Sequence, residues 1–368
     1  MGWLGATSMC NSIREDIGGP MEALATKYRP QSFGEVAGQK YIIDILQKQI
    51  RNNTISNCYL FAGPTGTGKT TLARIFANSL NEGCGNPIEI DAASNNGVDN
   101  IRTIIEESQL KSLDSKYRVY IIDEVHMITK EGWNAFLKTL EEPTLSTIFI
   151  LCTTEPQKVP ATILNRVMRF NLSKIPSNEI KERLNYICAA EGFTNYNNIC
   201  DYISKISQGG LRDAIAMLDK CSKYSTDLDI KYAQQVTGMI PYESMMELTN
   251  SLTAQDGKAI VKLIDGLYEQ GYDLKLLVDQ YIDFIVDLEK YIMFNDISVT
   301  KFPTYIEEKV VDGELASDCL KYVVNVEGLL PFLIGLVERL LNLKFKLKYD
   351  TSVRDTVTVF FMSEIKKW

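Results

Sequence analysis

Gly63-Pro64-Thr65-Gly66-Thr67-Gly68-Lys69-Thr70 decides the reading of this chain, because it satisfies the G-x-x-x-x-G-K-[ST] pattern of a phosphate-binding loop. Glycines let successive backbone N–H groups curl around phosphate oxygens, and the helix that follows adds the positive end of its dipole. In such a loop Lys69 reaches the β- and γ-phosphates of ATP, while the Thr70 hydroxyl ligates magnesium. Residues Gly63 to Thr70, with Thr71 next on the helix, are therefore the candidate nucleotide-binding residues. The context is the required one: the apolar run Cys58 to Ala62 enters the loop, and Thr70 to Leu80 has helical character.

Downstream, Val119-Tyr120-Ile121-Ile122-Asp123-Glu124 supplies the complement. Four apolar or aromatic residues drive a buried strand, and two carboxylates follow at its C-terminal end, where α/β folds place ligands. Asp123 would hold the magnesium through its water, and Glu124 would orient and polarise an attacking water. Taken alone, acids at a strand end often do no more than cap a helix; behind a good phosphate loop they read as catalytic. His126, flanked by Val125 and Met127, reads as a packed structural residue.

Working outward, Ile42, Ile43, Leu46 and Ile50 share one helical face, and Ile88 to Ile90 is a short strand candidate. Asp99 to Leu110 reads as a helix with Ile101, Ile104 and Ile105 inward, and Thr129 to Leu140 as another that stops at Pro143. Thr147 to Cys152 matches Val119 to Ile122 as a β-branched run suited to a parallel sheet covered on both faces. Strands alternating with helices place residues 21–172 in an α/β P-loop fold. After Pro176 the pattern becomes helical: Asn178 to Glu191, Asn198 to Ser207 and Leu211 to Lys220 form a small helical domain over 173–238. Residues 239–368 form a mostly helical third region, strongest at Gly257 to Tyr268, Leu274 to Tyr291 and Leu329 to Leu343. Thr356 to Phe361 is β-rich in composition although read as helix. Residues 1–20, closed by Gly18-Gly19-Pro20, read as an extension outside the domains.

Composition sets outer limits. With 368 residues, 45 % hydrophobic and 23 % charged, the chain has material for two or three globular domains. The greasiest stretch, Leu329 to Val337, contains Pro331 and stops at Glu338, too short to cross a bilayer. No basic-then-apolar leader opens the chain, and Ala6 stands where myristoylation after Gly2 needs Ser or Thr. The eight cysteines are scattered, without a C-x-x-C pair and with a single histidine, so no zinc site and reduced, cytoplasmic thiols are expected. The formal charge of −8 argues against coating nucleic acid by bulk electrostatics, though not against contact through a local basic patch or helix N-termini.

Several stretches go beyond a generic ATPase. Leu24-Ala25-Thr26-Lys27-Tyr28-Arg29-Pro30, Phe33 and Val36-Ala37-Gly38-Gln39 resemble the opening of clamp-loader ATPases of the AAA+ class. Glu89 to Val98 (EIDAASNNGV), Ile122 to Met127 (IDEVHM) and Asn134 to Pro143 (NAFLKTLEEP) closely resemble the gamma/tau family of bacterial DNA polymerase III clamp loaders. The likeness is dense over 21–222 and looser from 239 onward, where Gly271-Tyr272-Asp273-Leu274 resembles that family's third domain. It implies a sensor-1 role for Thr154, a trans arginine finger at Arg166 and a sensor-2 role for Arg212 on the helical lid. It also implies a base-binding edge at Tyr28, Pro30, Val36, Gly38 and Gln39. The implied activity is ATP hydrolysis with magnesium by a motor subunit that opens a sliding clamp and loads it on primer-template DNA. Its implied partners are the other subunits of a ring of about five, the clamp and the DNA. No membrane is involved.

Three departures stand out. Leu80 to Ile88 leaves one cysteine, Cys84, where the family carries a four-cysteine zinc module. The finger motif reads Asn165-Arg166-Val167 where the family has Ser-Arg-Cys. The chain also stops near the close of the third domain, without the long tail of the tau form, which points to a minimal loader subunit. Two other functions compete: an AAA+ remodeller of DNA junctions or protein partners, and a loader scaffold with little turnover. The absence of an aromatic pore loop opposes the first, and intact Lys69, Thr70, Asp123 and Glu124 oppose the second.

Overall fold

The computed structural model describes residues 23–365, except 111–114, 143, 145, 295, 297–298 and 301–327. The expected extension at 1–20 and the helix stop at Pro143 lie outside the described residues.

Five parallel strands form one sheet in the order β2-β3-β4-β1-β5: β1 Cys58–Ala62, β2 Ile88–Asp91, β3 Arg118–Asp123, β4 Thr147–Thr153 and β5 Met168–Asn171. Successive side chains point to opposite faces, so Tyr59 and Phe61 enter one core while Cys58 and Leu60 enter the other. Both faces are covered, and the central strands therefore read as unbroken apolar runs. Helices α2 (Lys40–Asn52) and α3 (Lys69–Leu80) bury Leu46, Leu72 and Phe76 against one face. Helices α4 (Val98–Ser108) and α5 (Lys130–Glu141) bury Ile101, Trp133 and Phe136 against the other. Thr129 caps α5, its hydroxyl accepting from Gly132 N at 3.2 Å.

A third core gathers α7 (Ser177–Glu191), α8 (Asn197–Ile206), α9 (Leu211–Ser222) and α10 (Ile230–Thr237) around Ile180, Leu184, Ile203 and Leu218. Leu24, from the short α1 (Leu24–Lys27), is part of this core, and Ala25, Tyr28 and Ala37 pack against it. The start of the opening segment thus belongs by packing to the helical layer, although it precedes the sheet in sequence, whereas Phe33 and Val36 pack against the sheet core. The short α6 (Ala161–Leu164) links β4 to β5.

A fourth core joins α11 (Tyr242–Thr253), α12 (Gly257–Glu269), α13 (Leu274–Phe294), α14 (Leu329–Leu347) and α15 (Val353–Glu364). Pro331 falls in the first turn of α14, where its missing N–H leaves no intrahelical bond unmade. The β-branched run at 356–359 is helical because Val357 and Phe361, four residues apart, are both fully buried in this core. Among the described residues, no helix is long and apolar enough to cross a membrane.

One pair locks α14 to α15. The Glu364 carboxylate is fully buried and accepts from Arg339 Nε at 2.7 Å and Nη2 at 2.6 Å. Removing the guanidinium takes two charge-assisted hydrogen bonds from a buried carboxylate, so R339M should lower stability by about 3–5 kcal/mol in urea unfolding. Replacing both partners, as R339M/E364L, should recover most of that loss, because two apolar side chains carry no desolvation penalty. A double variant as unstable as the single one would place the effect in packing instead.

Candidate nucleotide-binding site

The carboxyl ends of β1, β4 and β3 lie side by side, and each contributes to one cleft. From β1 the chain enters the glycine loop, with Gly66 at φ +76° and Gly68 at φ +94°, conformations that side chains disfavour. Gly63 is required for another reason: a Cβ there would sit 2.5 Å from the Leu172 carbonyl oxygen. Its N–H donates to Thr153 O at 3.1 Å, tying the loop to the end of β4. The buried Thr67 hydroxyl donates to Pro64 O at 2.8 Å.

Lys69 opens α3 and is buried, its Nζ donating to Gly63 O and Pro64 O at 3.0 Å each. Burial lowers its pKa, partly offset by the carboxylates of Glu124 and Asp123. The Thr70 hydroxyl donates to Asp123 Oδ2 at 2.5 Å, which ties the loop helix to β3. Asp123 Oδ1 accepts the Glu124 N–H at 2.9 Å. Glu124 itself takes the left-handed conformation, φ +48°, at the turn out of β3. The Thr154 hydroxyl, at the end of β4, donates to Glu124 Oε2 at 3.1 Å. Thr70 and Asp123 present the hard oxygen donors that magnesium takes, so the residues fit that ion.

A cleft of about 260 Å³ joins these residues to the helical layer. Thr65 to Thr71, Asp123 and Glu124 form its floor, and Arg212, Leu211 and Ile215 reach in from α9. Leu211 N donates to Gly66 O at 3.1 Å, so the start of α9 sits on the tip of the loop. Ala25, Thr26, Tyr28, Arg29, Pro30, Val36 and Ala37 wall the remaining side.

Of the expected base-binding edge, Tyr28, Pro30 and Val36 line the cleft, whereas Gly38 and Gln39 do not. Gly38 N donates to Glu179 Oε2 at 2.5 Å, and the Gln39 side chain pairs with the Ser173 backbone at 2.7 and 3.2 Å. Both tie the opening segment to the start of the helical layer. The same segment is held further along by Arg183 Nη2 on Tyr28 O at 2.9 Å and by the Tyr28 hydroxyl on Glu191. That hydrogen bond, with burial second, pushes the Tyr28 phenol up to about 12.

Arg166 lies outside the cleft, beyond α6, with Nη1 on Thr162 O at 2.7 Å and Nη2 on Glu141 at 2.9 Å. Both members of that ion pair are solvent-exposed, so its contribution is about 0–1 kcal/mol.

One cleft residue escaped the sequence reading. Arg29 lines the cleft and donates through Nε to Thr71 Oγ1 at 3.4 Å; desolvation first, and Arg74 next, lower its pKa. Its place between two expected base-edge residues was the available signal. His126 is packed, as expected, but its ring also meets Glu124, Thr153 and Glu155. Among the described residues, no three His, Cys, Asp or Glu side chains converge as a metal site.

Residues 87–176 match the family model of the DNA polymerase III delta subunit. The chain is 38 % identical over 292 residues to the tau subunit of DNA polymerase III from Bacillus subtilis, covering 73 % of this chain and 52 % of that one. Against the Escherichia coli tau subunit the identity is 30 %, over 72 % of this chain and 44 % of the relative. Against the gamma/tau subunit of Mycoplasma genitalium it is 33 %, over 74 % and 50 %. The chain thus spans about half the length of these relatives. Among solved structures, RuvB of Thermotoga maritima, a Holliday junction branch migration motor, superposes with a TM-score of 0.50 at 19 % identity, over 61 % of this chain and 79 % of that one. At that identity the likeness concerns the fold, which is AAA+.

Proposed function

We propose, from its likeness to the tau and gamma/tau subunits of DNA polymerase III over 73 % of its length, that the chain is the ATPase motor of a sliding-clamp loader. The observation that carries the reading is the convergence of Lys69, Thr70, Asp123 and Glu124 at adjacent strand ends, under a helical layer that brings in Arg212.

In this reading residues 21–172 bind ATP, 173–238 act as the lid and 239–368 form the collar that joins subunits. An incoming triphosphate offers the Lys69 ammonium full negative charges in place of two carbonyl dipoles. Thr70 and Asp123 would hold magnesium, which offsets charge on the phosphate oxygens. Glu124, fixed by Thr154, orients the attacking water and takes its proton. Arg212 meets the phosphates from the lid, so binding draws the lid onto the loop, and the opening segment moves with it through Glu179, Arg183 and Glu191. Charge developing on the transferred group is met by Arg212 in cis and by a neighbour's Arg166 in trans, which makes turnover depend on assembly. The energy would open the clamp, and hydrolysis would release clamp and primer-template DNA.

The test is steady-state ATP hydrolysis by the protein with its partner subunits. The expected result is stimulation by clamp and primed DNA together, beyond the sum of either alone. Turnover indifferent to both would favour a remodeller acting on other substrates.

A further inference from the structure

Helix α7 turns Ile180, Leu184, Ile187 and Cys188 into the helical core. One residue back at each step, Glu179, Arg183 and Tyr186 follow at the spacing that shares a helix face, and Glu191 is the last residue of the helix. Polar side chains so placed ordinarily face only solvent. Here all four meet the segment 27–38, which walls the nucleotide cleft. Glu191 accepts from the Tyr28 hydroxyl and from Lys27 Nζ, the latter at 2.6 Å. Arg183 Nη2 donates to Tyr28 O at 2.9 Å, and the Tyr186 ring stands edge-on to Tyr28 with centroids 6.3 Å apart. Arg183 also lies over the Tyr186 ring, 5.0 Å from its centroid, so the two side chains support each other. At the other end of α7, Glu179 Oε2 takes the Gly38 N–H at 2.5 Å.

We infer that this side of α7 sets the position of the base-facing wall of the cleft, which makes Glu191, Arg183 and Glu179 positioning residues for the nucleotide base. The inference rests on the base-facing role expected for Tyr28, Pro30 and Val36. The two anchors, at Tyr28 and at Gly38, bracket Arg29, Pro30, Val36 and Ala37, all of which line the cleft. Between the anchors Phe33 and Val36 pack against the sheet core, so the wall spans sheet and helical layer and its tilt follows the placement of one on the other. Tyr28 is the most constrained point. Its hydroxyl, its carbonyl and its ring are each held by a different side chain of one helix. The ring is therefore ordered before a nucleotide arrives, and less binding energy is lost to ordering it. Because the phenol donates to Glu191, it has no hydrogen left for a base, and the side chain meets a base by ring surface.

The test compares ATP with inorganic tripolyphosphate, which offers the loop its phosphates without a base. Calorimetric titration of the wild-type protein should show ATP bound the more tightly. Glu191→Ala should weaken ATP about 5- to 20-fold, the scale of one hydrogen bond. Tripolyphosphate should stay within about twofold, since Lys69 and the loop hold it. Glu191→Gln keeps an acceptor for the phenol and should retain most of the affinity for ATP. Tyr28→Phe removes the same bond from its other end and should show the same selective loss, so the double variant Y28F/E191A should bind ATP about as E191A does. A purely structural role for Glu191 would not distinguish the two ligands. E191A that binds ATP like wild type, or that loses ATP and tripolyphosphate alike, would overturn the inference and leave the proposed function intact. Wild-type protein that holds tripolyphosphate as tightly as ATP would instead remove the base-facing role of Tyr28, Pro30 and Val36, and the inference with it.

Discussion

Lys69→Ala should abolish measurable nucleotide binding, whereas Glu124→Gln should leave binding intact and stop turnover. The two predictions separate because the two side chains serve different parts of the reaction. The Lys69 ammonium already lies within 3.0 Å of two loop carbonyls, so little motion is needed to transfer its hydrogen bonds to phosphate oxygens. Charge-assisted bonds to two phosphates, at about 1.5–3 kcal/mol each, amount to roughly two to four orders of magnitude in affinity. The Glu124 carboxylate makes no hydrogen bond to the loop or to Thr70; it accepts from Thr154 and lies 3.2 Å from the His126 ring. Exchanging its carboxylate for an amide leaves the phosphate cradle alone and removes the base, a loss of about 10²–10⁴ in rate. Nucleotide titration beside steady-state hydrolysis reads both effects, with thermal unfolding to show that each variant folds. Normal turnover by E124Q would mean that another group activates the water.

The parts of this site legible in the sequence are those in which local backbone demands fix residue identity. A loop whose N–H groups converge needs glycine where φ is positive, and Gly66 and Gly68 meet that need. Asp123 and Glu124 stood out because they close a buried strand downstream of that loop; without the loop two acids there would have read as a helix cap. What the sequence hid was assembly over long separations. The cleft wall draws Ala25 and Arg29 from before the sheet, Ile175 from after it and Ile215 from α9. Nothing local to any of them announces the others. Gly38 and Gln39 were assigned to the base edge by likeness alone, and the structure puts them on Glu179 and Ser173. Edge strand β5 went unread because it has four residues and one buried side chain, Phe170. Helix α11 went unread because its buried face includes Thr249 and Ser251, which carry no apolar period.

Arg166 gives the sharpest test of an assembled motor. Its guanidinium is committed to an exposed pair with Glu141 and to the Thr162 carbonyl, at the far end of α6 and outside the cleft of its own subunit. Such a pair is worth little and exchanges readily for a better anion. A γ-phosphate on a neighbouring subunit is such an anion, because its charge grows as the phosphoryl group transfers. R166A should therefore bind ATP normally as an isolated subunit, and unfold within about 1 kcal/mol of wild type. In the assembled ring it should lose stimulated hydrolysis, by up to about 10³-fold, the lower end of what a trans finger supplies. Mixing it with K69A protein separates a trans role from a local one. Each variant alone lacks one half of every site, the first its finger and the second its phosphate lysine. At a mixed interface the intact Arg166 of a K69A subunit can face the intact loop of an R166A subunit, so activity should return. Sedimentation must first establish that mixed rings form. Mixed rings without recovered activity would return Arg166 to a surface ion pair, because a residue acting only within its own subunit cannot be replaced by its neighbour's copy.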